Sequence, residues 1–551
     1  MSAALRRPGL AGWLFAAGVV GSGVLLLTWL SDTTFLRDEW SFLLHRRGSS
    51  PDVFLEPNYE HIAISLVAAY KALVGLFGMD SALPFQVMAT VTFLASVVLM
   101  FIYVRRRVGP WLALAAALPI LVLGAASDDL LWPFQTGFFG SMTAGLGALL
   151  ALERRDRAGD VLACVLLVVS ISFSSLGLPF ALGIAVDVAW GADRARRAYV
   201  VALPLAFYAI WWLGWGHEAD SHASFDTLAT LPSYVLDGLG AGIASWLGIS
   251  VDDPAAESGD TWARVLLVVA VVLAVWRLRR LETVSRSLAV VGAIALTFWA
   301  LAGLNAWFFR DPFNGRYQYM GAIFFVLVAA ELLRGVRLRA PATAAVLAVA
   351  AVAAIANLST LHDAWAGIFA NLGRYQRADL AALELSRDSV DPSFELTQEN
   401  SGVDYLGLMD AGSYFSAVDA YGSPAYSPDE LAAAPENARA AADQVFAAAL
   451  GVALAPNAPR GAPGACMPVT LGAQPSVVEL EQGGALLRPD AGTSAGLRLR
   501  RYADESFPID AGTLHGAREQ WLRIPTDRSQ EPWELALSGH GRIDVCAPGT
   551  A

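Results

Sequence analysis

Along the first two thirds of the chain, long apolar runs alternate with short polar stretches. A bilayer hydrocarbon core of about 30 Å takes about 20 apolar residues in a helix. Eleven stretches fit that length or approach it, at roughly 11–30, 82–104, 109–126, 133–152, 160–175, 177–191, 198–216, 261–277, 286–305, 317–333 and 341–360. The stretches 160–175 and 177–191 are short, and Pro179 lies in the second. They read either as two helices or as one broken helix, and the second choice reverses every later orientation. The apolar residues Leu231–Ile249 lie in a polar stretch and read as an interfacial helix.

Arginine placement tests the count, because cytoplasmic loops carry the excess of positive charge. With the N-terminus inside, the inner loops hold Arg6, Arg7, Arg105–Arg107, Arg154, Arg155, Arg157, Arg194, Arg196, Arg197, Arg277, Arg279, Arg280, Arg286, Arg334, Arg337 and Arg339. That is eighteen, against five outside: Arg37, Arg46, Arg47, Arg310 and Arg316. Merging the short pair would move ten of the eighteen outside. The pattern therefore predicts eleven spans, a cytoplasmic N-terminus and an extracytoplasmic C-terminal region. The first span is longer than the apolar core of a cleaved signal peptide and reads as a retained anchor.

The texture changes after residue 360. Residues 361–460 are rich in Ala and acidic residues and read as a helical extracytoplasmic segment. A Pro/Gly-rich linker from Ala455 to Gly464 follows. In residues 465–551, short alternating runs such as "SVVELEQ", "GLRLRRY" and "WELALS" sit between Gly, Pro and Asp turns. That pattern predicts a small β-sandwich, a candidate carbohydrate-binding domain with Trp521, Trp533 and Tyr502 as candidate stacking platforms. The expected fold class is an α-helical polytopic membrane domain (1–360) followed by the helical segment (361–460) and the sandwich (465–551). Cys466 and Cys546 bracket the sandwich on the oxidising side of the predicted topology and are expected to form a disulfide, two free thiols being the alternative.

Composition narrows the function. The 551 residues have a mean hydropathy of +0.48 and only 16% charged residues, too apolar for a soluble globular chain or a disordered one. Residues 361–551 hold 25 acidic and 13 basic residues, so the whole net charge of −12 lies there. With no basic tract, nucleic-acid binding is excluded as a reading. No Gly-x-x-x-x-Gly-Lys loop is present, so ATP-driven chemistry has no residues to run on.

The candidate chemistry lies outside. The first outer loop, 31–81, is long and polar and contains "FLRDEWSFLL" and "EPNYEHIAI". Asp38 and Glu39 follow closely on the first span, and Arg37, Arg46 and Arg47 share the loop. A carboxylate can take a proton from a hydroxyl acceptor, and a guanidinium can hold a phosphate by paired hydrogen bonds. Arg310 and Arg316, in "WFFRDPFNGRYQYMGA", are further candidate phosphate ligands at an outer end. His217, Glu218, Asp220 and His222 have a spacing that could hold a cation.

On these motifs the chain resembles the GT-C superfamily of integral membrane glycosyltransferases, the polyprenyl-phosphate-sugar-dependent group that includes protein mannosyltransferases, aminoarabinose transferases and mycobacterial arabinosyltransferases. The motifs are the acidic pair Asp38-Glu39 just after the first span and the stretch Pro57-Asn58-Tyr59-Glu60-His61. The resemblance covers about residues 10–140 and loosens beyond. It implies Asp38 as catalytic base, with Glu39 as its partner or alternate. It implies donor-phosphate contacts at Glu60 and His61, joined by Arg37 and Lys71, and a second acidic site at Asp128-Asp129. The implied partners are a polyprenyl-phosphate sugar donor, a hydroxyl acceptor on an envelope glycan, lipid or protein, and the bilayer itself. The cofactor is left open, a divalent cation being the candidate.

Each residue also has a plain structural reading. Asp38-Glu39 can start a helix, Lys71 can snorkel, and the arginines can sit in an aromatic belt. The competing functions are a non-catalytic transporter or assembly factor for envelope polysaccharide, and a polymer ligase using a lipid-diphosphate donor. Internal repeats and mid-span ionisable residues, which mark transporters, are scarce; Asp187 is the closest case.

Overall fold

The structure is a computed structural model that describes residues 9–219, 222–249, 258–307, 310–456 and 464–548. Arg6, Arg7, Asp220 and the linker residues 457–463 lie outside the described residues. The chain divides into two compact units. One comprises Met1–Ser31, Arg46–Leu73 and Leu83–Phe369; the other comprises Asp32–His45, Val74–Ala82 and Ala370–Ala551.

The first unit is helical. Every predicted span falls on a helix: Leu10–Leu30, Leu83–Val108, Pro110–Ile120, Thr136–Leu152, Arg157–Phe173, Gly177–Trp190, Tyr199–Gly214, Ser258–Leu278, Arg286–Leu304, Gly315–Leu332 and Ala340–Ala364. The short pair is two helices, parted at Ser174–Leu176. Among the described residues five helices are long and apolar enough to cross a membrane, or six if the bent pair Pro110–Ile120 and Gly124–Leu130 is one span. The expected count of eleven is therefore not reached on length. At 1.5 Å per residue, the 14 residues of Gly177–Trp190 reach only about two thirds of the hydrocarbon thickness.

Lipid is the natural solvent for this unit. Val268, Val272, Leu273 and Trp276 on the helix Ser258–Leu278 are all more than half exposed, and an apolar face of that size is a liability in water. Inside, small residues allow close helix approach. A Cβ at Gly145 would come within 2.4 Å of the Phe180 ring, and one at Gly140 within 2.7 Å of Phe173. The expected interfacial helix is Phe225–Trp246, and it does not lie on the surface throughout. Its C-terminal half is buried, because Gly238 and Gly242 bring its backbone against Trp299 and Gly321.

The third predicted span breaks at residues 121–126 and turns by 50°. A break frees backbone groups that lipid cannot satisfy. Asn357, almost fully buried, meets one of them: its Oδ1 accepts from Gly124 N at 2.9 Å, while its Nδ2 donates to the Ser245 carbonyl of the helix Phe225–Trp246 at 3.1 Å. The break sets the short helix Ser127–Leu130, which carries Asp128 and Asp129. Asp187 is also accounted for: it pairs with Arg155 at 3.3 Å, Arg197 at 3.4 Å and Arg286 at 2.5 Å.

Among the described residues of the second unit, the helices Ala370–Leu385, Ala411–Tyr421 and Glu436–Leu450 precede eight strands. These are β1 (Ala453–Ala455), β2 (Cys466–Leu471), β3 (Ser476–Leu480), β4 (Gly483–Pro489), β5 (Ser494–Arg500), β6 (Ile509–His515), β7 (Gln520–Ile524) and β8 (Trp533–Cys546). All pairings are antiparallel, in the order β1-β7-β4-β8-β5-β6 with β2 and β3 also on β8. The first part of β8 is flanked by β3 and β5, and its end from Gly541 by β2 and β4. Between them Gly539 and Gly541 take positive φ, which only glycine adopts cheaply, so one strand serves two sets of partners. Cys466 and Cys546 stand opposite each other in the ladder and are joined by a disulfide. Tyr502, Trp521 and Trp533 are buried. Tyr502 stacks on Phe446 and Trp533 meets the same ring edge-on, so these aromatics are core and not stacking platforms.

Candidate functional site

In the first unit the site is built on a tight turn. Asn58 and His61 exchange backbone hydrogen bonds of 2.9 and 3.0 Å, and Tyr59 between them sits at φ +52°. A bulky residue there is strained and persists only when its surroundings hold it. They do. The Arg46 guanidinium donates to the carbonyls of Glu56 (3.1 Å) and Pro57 (2.7 Å), and Trp211 Nε1 donates to the Leu55 carbonyl at 2.7 Å. Ser175 Oγ donates to the Glu60 carbonyl at 3.3 Å and accepts from Ile62 N at 3.4 Å. Lys71 Nζ donates to the Arg46 carbonyl at 2.9 Å and lies over the Phe54 ring, so it braces the same loop.

The turn presents Glu60 and His61. Glu60 Oε1 accepts from Arg310 Nη1 at 2.6 Å and lies 3.4 Å from His61 Nε2. The side chains are 21% (Glu60) and 10% (Arg310) exposed. Burial is the largest influence on the Glu60 carboxyl and pushes its pKa up; His61 and Arg310 outweigh it, so the net shift is downward. Burial is also the main cause that lowers the His61 pKa, with Arg310 and Arg316 adding to it against Glu60. His61 is therefore neutral near pH 7, with one acceptor nitrogen.

Arg316 begins the helix Gly315–Leu332, where Asn314 accepts from its backbone N and its Nε, both at 3.2 Å. Its charge reaches both His61 and Asp129. Asp129 is fully buried, and neither of its carboxylate oxygens has a hydrogen-bond partner. Glu60 Oε2 and His61 Nδ1 are likewise buried and unpartnered. Buried polar atoms are nearly always paired, so a group of orphans needs an explanation. Two guanidinium groups beside unpaired acceptors suit an anionic phosphate joined to a hydroxyl-bearing group.

Of the residues expected from sequence, Glu60, His61, Arg310, Arg316 and Asp129 are thus linked by contact or by charge in the first unit. Asp128 is half-buried beside Asp129. Arg37, Asp38 and Glu39 belong to the second unit, where Arg37 is exposed, Asp38 half-buried and Glu39 fully buried. Among the described residues no group of three or more His, Cys, Asp and Glu side chains is arranged to hold a metal ion. The sequence pattern does not single out Ser175 or Tyr208, which shares a hydrogen bond with Ser175. Their signal was weak: a hydroxyl near the end of an apolar run.

No family model and no curated protein matches the chain. The solved structures that are similar to it include the following two. The crystal structure of ArnT from Cupriavidus metallidurans bound to undecaprenyl phosphate has 14% identity and a TM-score of 0.43, covering 70% of this chain and 82% of that one. The cryo-EM structure of arabinosyltransferase EmbB from Mycobacterium smegmatis has 13% identity and a TM-score of 0.35, covering 100% of this chain and 66% of that one. The functional reading rests on the chain's own residues.

Proposed function

We propose that this protein is a membrane glycosyltransferase that moves a sugar from a polyprenyl-phosphate donor to a hydroxyl acceptor of the cell envelope. In this reading eleven helices cross or enter the bilayer, the N-terminus is cytoplasmic and the C-terminal region extracytoplasmic. The observation that carries the reading is the buried Glu60–His61–Arg310 cluster with Arg316 and the orphaned Asp129 beside it. Arg310 and Arg316 hold the donor phosphate and stabilise it as it leaves with the polyprenol. Arg310 uses one Nη on Glu60 and keeps other donors for phosphate oxygens. Neutral His61 and the free oxygen of Glu60 accept from donor hydroxyls. Asp38 takes the acceptor proton as that oxygen attacks the sugar carbon, and Glu39 is its partner.

Sugar transfer is measured with the purified protein and a radiolabelled polyprenyl-phosphate sugar. Arg316→Gln should weaken donor binding, and Asp38→Asn should stop transfer while donor binding is kept. If Arg310→Gln and Arg316→Gln both bind donor as the parent does, the phosphate assignment is wrong. The pair of arginines also favours a second reading, a polymer ligase with a lipid-diphosphate donor. That enzyme would tolerate Asp38→Asn, and polyprenyl diphosphate would compete better than the monophosphate.

A further inference from the structure

The acidic segment Asp32–His45 is separated in sequence by more than 300 residues from the C-terminal region, yet it belongs to the same compact unit. Its fit there is close. The α-carbon of Gly373, in the helix Ala370–Leu385, faces the segment so tightly that a Cβ would come 2.5 Å from the Asp32 carbonyl oxygen and 2.8 Å from the Thr33 Cα. Trp40 is fully buried, edge-on to Phe35 at 5.8 Å and to Tyr414 at 6.1 Å. The Tyr414 hydroxyl donates to Glu384 Oε1 at 2.7 Å, which fixes the ring against which Trp40 packs. His45 Nε2 lies 2.9 Å from the Leu408 carbonyl oxygen. The Glu39 carboxylate turns back to accept from Leu36 N at 2.9 Å, so it caps its own segment. Arg37, just before the acids, holds a backbone conformation of φ +45° and ψ −114°. Such a conformation persists only where the surroundings dictate it. A second piece of the same loop is held likewise: Met79 N donates to the Tyr421 carbonyl at 2.6 Å, and Ser423 N to Asp80 Oδ1 at 3.0 Å.

We infer that the C-terminal unit positions the catalytic base, with Gly373 and Tyr414 as positioning residues that fix the backbone carrying Asp38. The inference rests on the reading of Asp38 as base given above. A base must sit within hydrogen-bond reach of the proton it takes, and a misplacement of about 1 Å can cost about 100-fold in rate. Within the second unit, the C-terminal helices then set the backbone that carries the base.

The test uses the full chain in lipid nanodiscs and measures kcat, donor KM and the thermal transition for Gly373→Ala, Tyr414→Ala, Tyr414→Phe and Asp38→Asn. Gly373→Ala and Tyr414→Ala are expected to lower kcat by about 10- to 100-fold, with donor KM within about twofold and the transition within a few degrees of the parent. Tyr414→Phe, which keeps the ring on Trp40, should recover most of the lost kcat. An unchanged kcat in Gly373→Ala and Tyr414→Ala, with Asp38→Asn inactive, overturns the inference while leaving the base assignment standing. A kcat loss that tracks a fall in the thermal transition also overturns it, since the contacts are then merely structural. Full activity in Asp38→Asn sinks the base assignment instead.

Discussion

The Glu60–Arg310 pair allows a quantitative test of the candidate site. Two unit charges about 4 Å apart attract by about 4 kcal/mol at an effective dielectric constant near 20, and the cost of taking both from water offsets much of it. Losing one partner is more severe than losing both, because the survivor stays buried and uncompensated, at about 3–5 kcal/mol in a full interior. With 10% and 21% of the two side chains exposed, Arg310→Gln should cost about 2–4 kcal/mol. Glu60→Gln should cost a similar amount, and the double variant clearly less than the sum, giving a coupling of about 2 kcal/mol. The carboxyl should respond too. Without Arg310 one of the groups that hold the Glu60 pKa down is lost, so the Arg310→Gln variant should take up a proton at a higher pH than the parent. Reversible unfolding in mixed micelles gives the four free energies of the cycle. A coupling below about 0.5 kcal/mol, typical of an exposed pair, would refute the argument that this pair is a built, desolvated element.

Other outcomes follow from the same contacts. The His61 pKa is lowered from 6.5 in the folded state, so as pH falls below about 6.5 the unfolded chain gains a proton that the folded one refuses. Stability should drop over that window, and His61→Gln should flatten the pH profile of unfolding. Asn357→Leu strands Gly124 N at about 1–3 kcal/mol; an unfolding free energy within 0.5 kcal/mol of the parent, a margin of roughly the usual surface-substitution scatter, would show that the break is satisfied otherwise. Burial raises the Asp443 carboxyl from 3.8 to about 6, against three backbone N–H donors and Arg501. Its folded-state preference for the proton stabilises the second unit below pH 3.8 and is lost as pH rises through about 6. Asp443→Asn should remove that slope in unfolding monitored by tryptophan fluorescence. Cys466→Ser opens a loop with a sequence separation of 80 and should lower the second unit's stability by up to about 4.5 kcal/mol on the chain-entropy model, read as a lower denaturant midpoint.

Much of this protein can be read from one dimension. Apolar runs, many of them bounded by arginines, mark most of the long helices of the first unit, because hydrophobic length and charge are local properties of the chain. Alternation between turn residues marks the strands of the second unit for the same reason. The arginines for phosphate chemistry also stand out, since only five lie in the predicted outer loops of residues 1–360. Tertiary structure alone decides the rest. It divides the predicted first outer loop between two units, sets Glu60 on Arg310 across 250 positions, and converts Trp521, Trp533 and Tyr502 from candidate binding surface to core. It buries Asp129 unpaired and makes Asn357 the partner of a broken helix. These outcomes depend on which distant atoms occupy the space beside a side chain. Burial and pairing are properties of that neighbourhood, and no local pattern of residues encodes it.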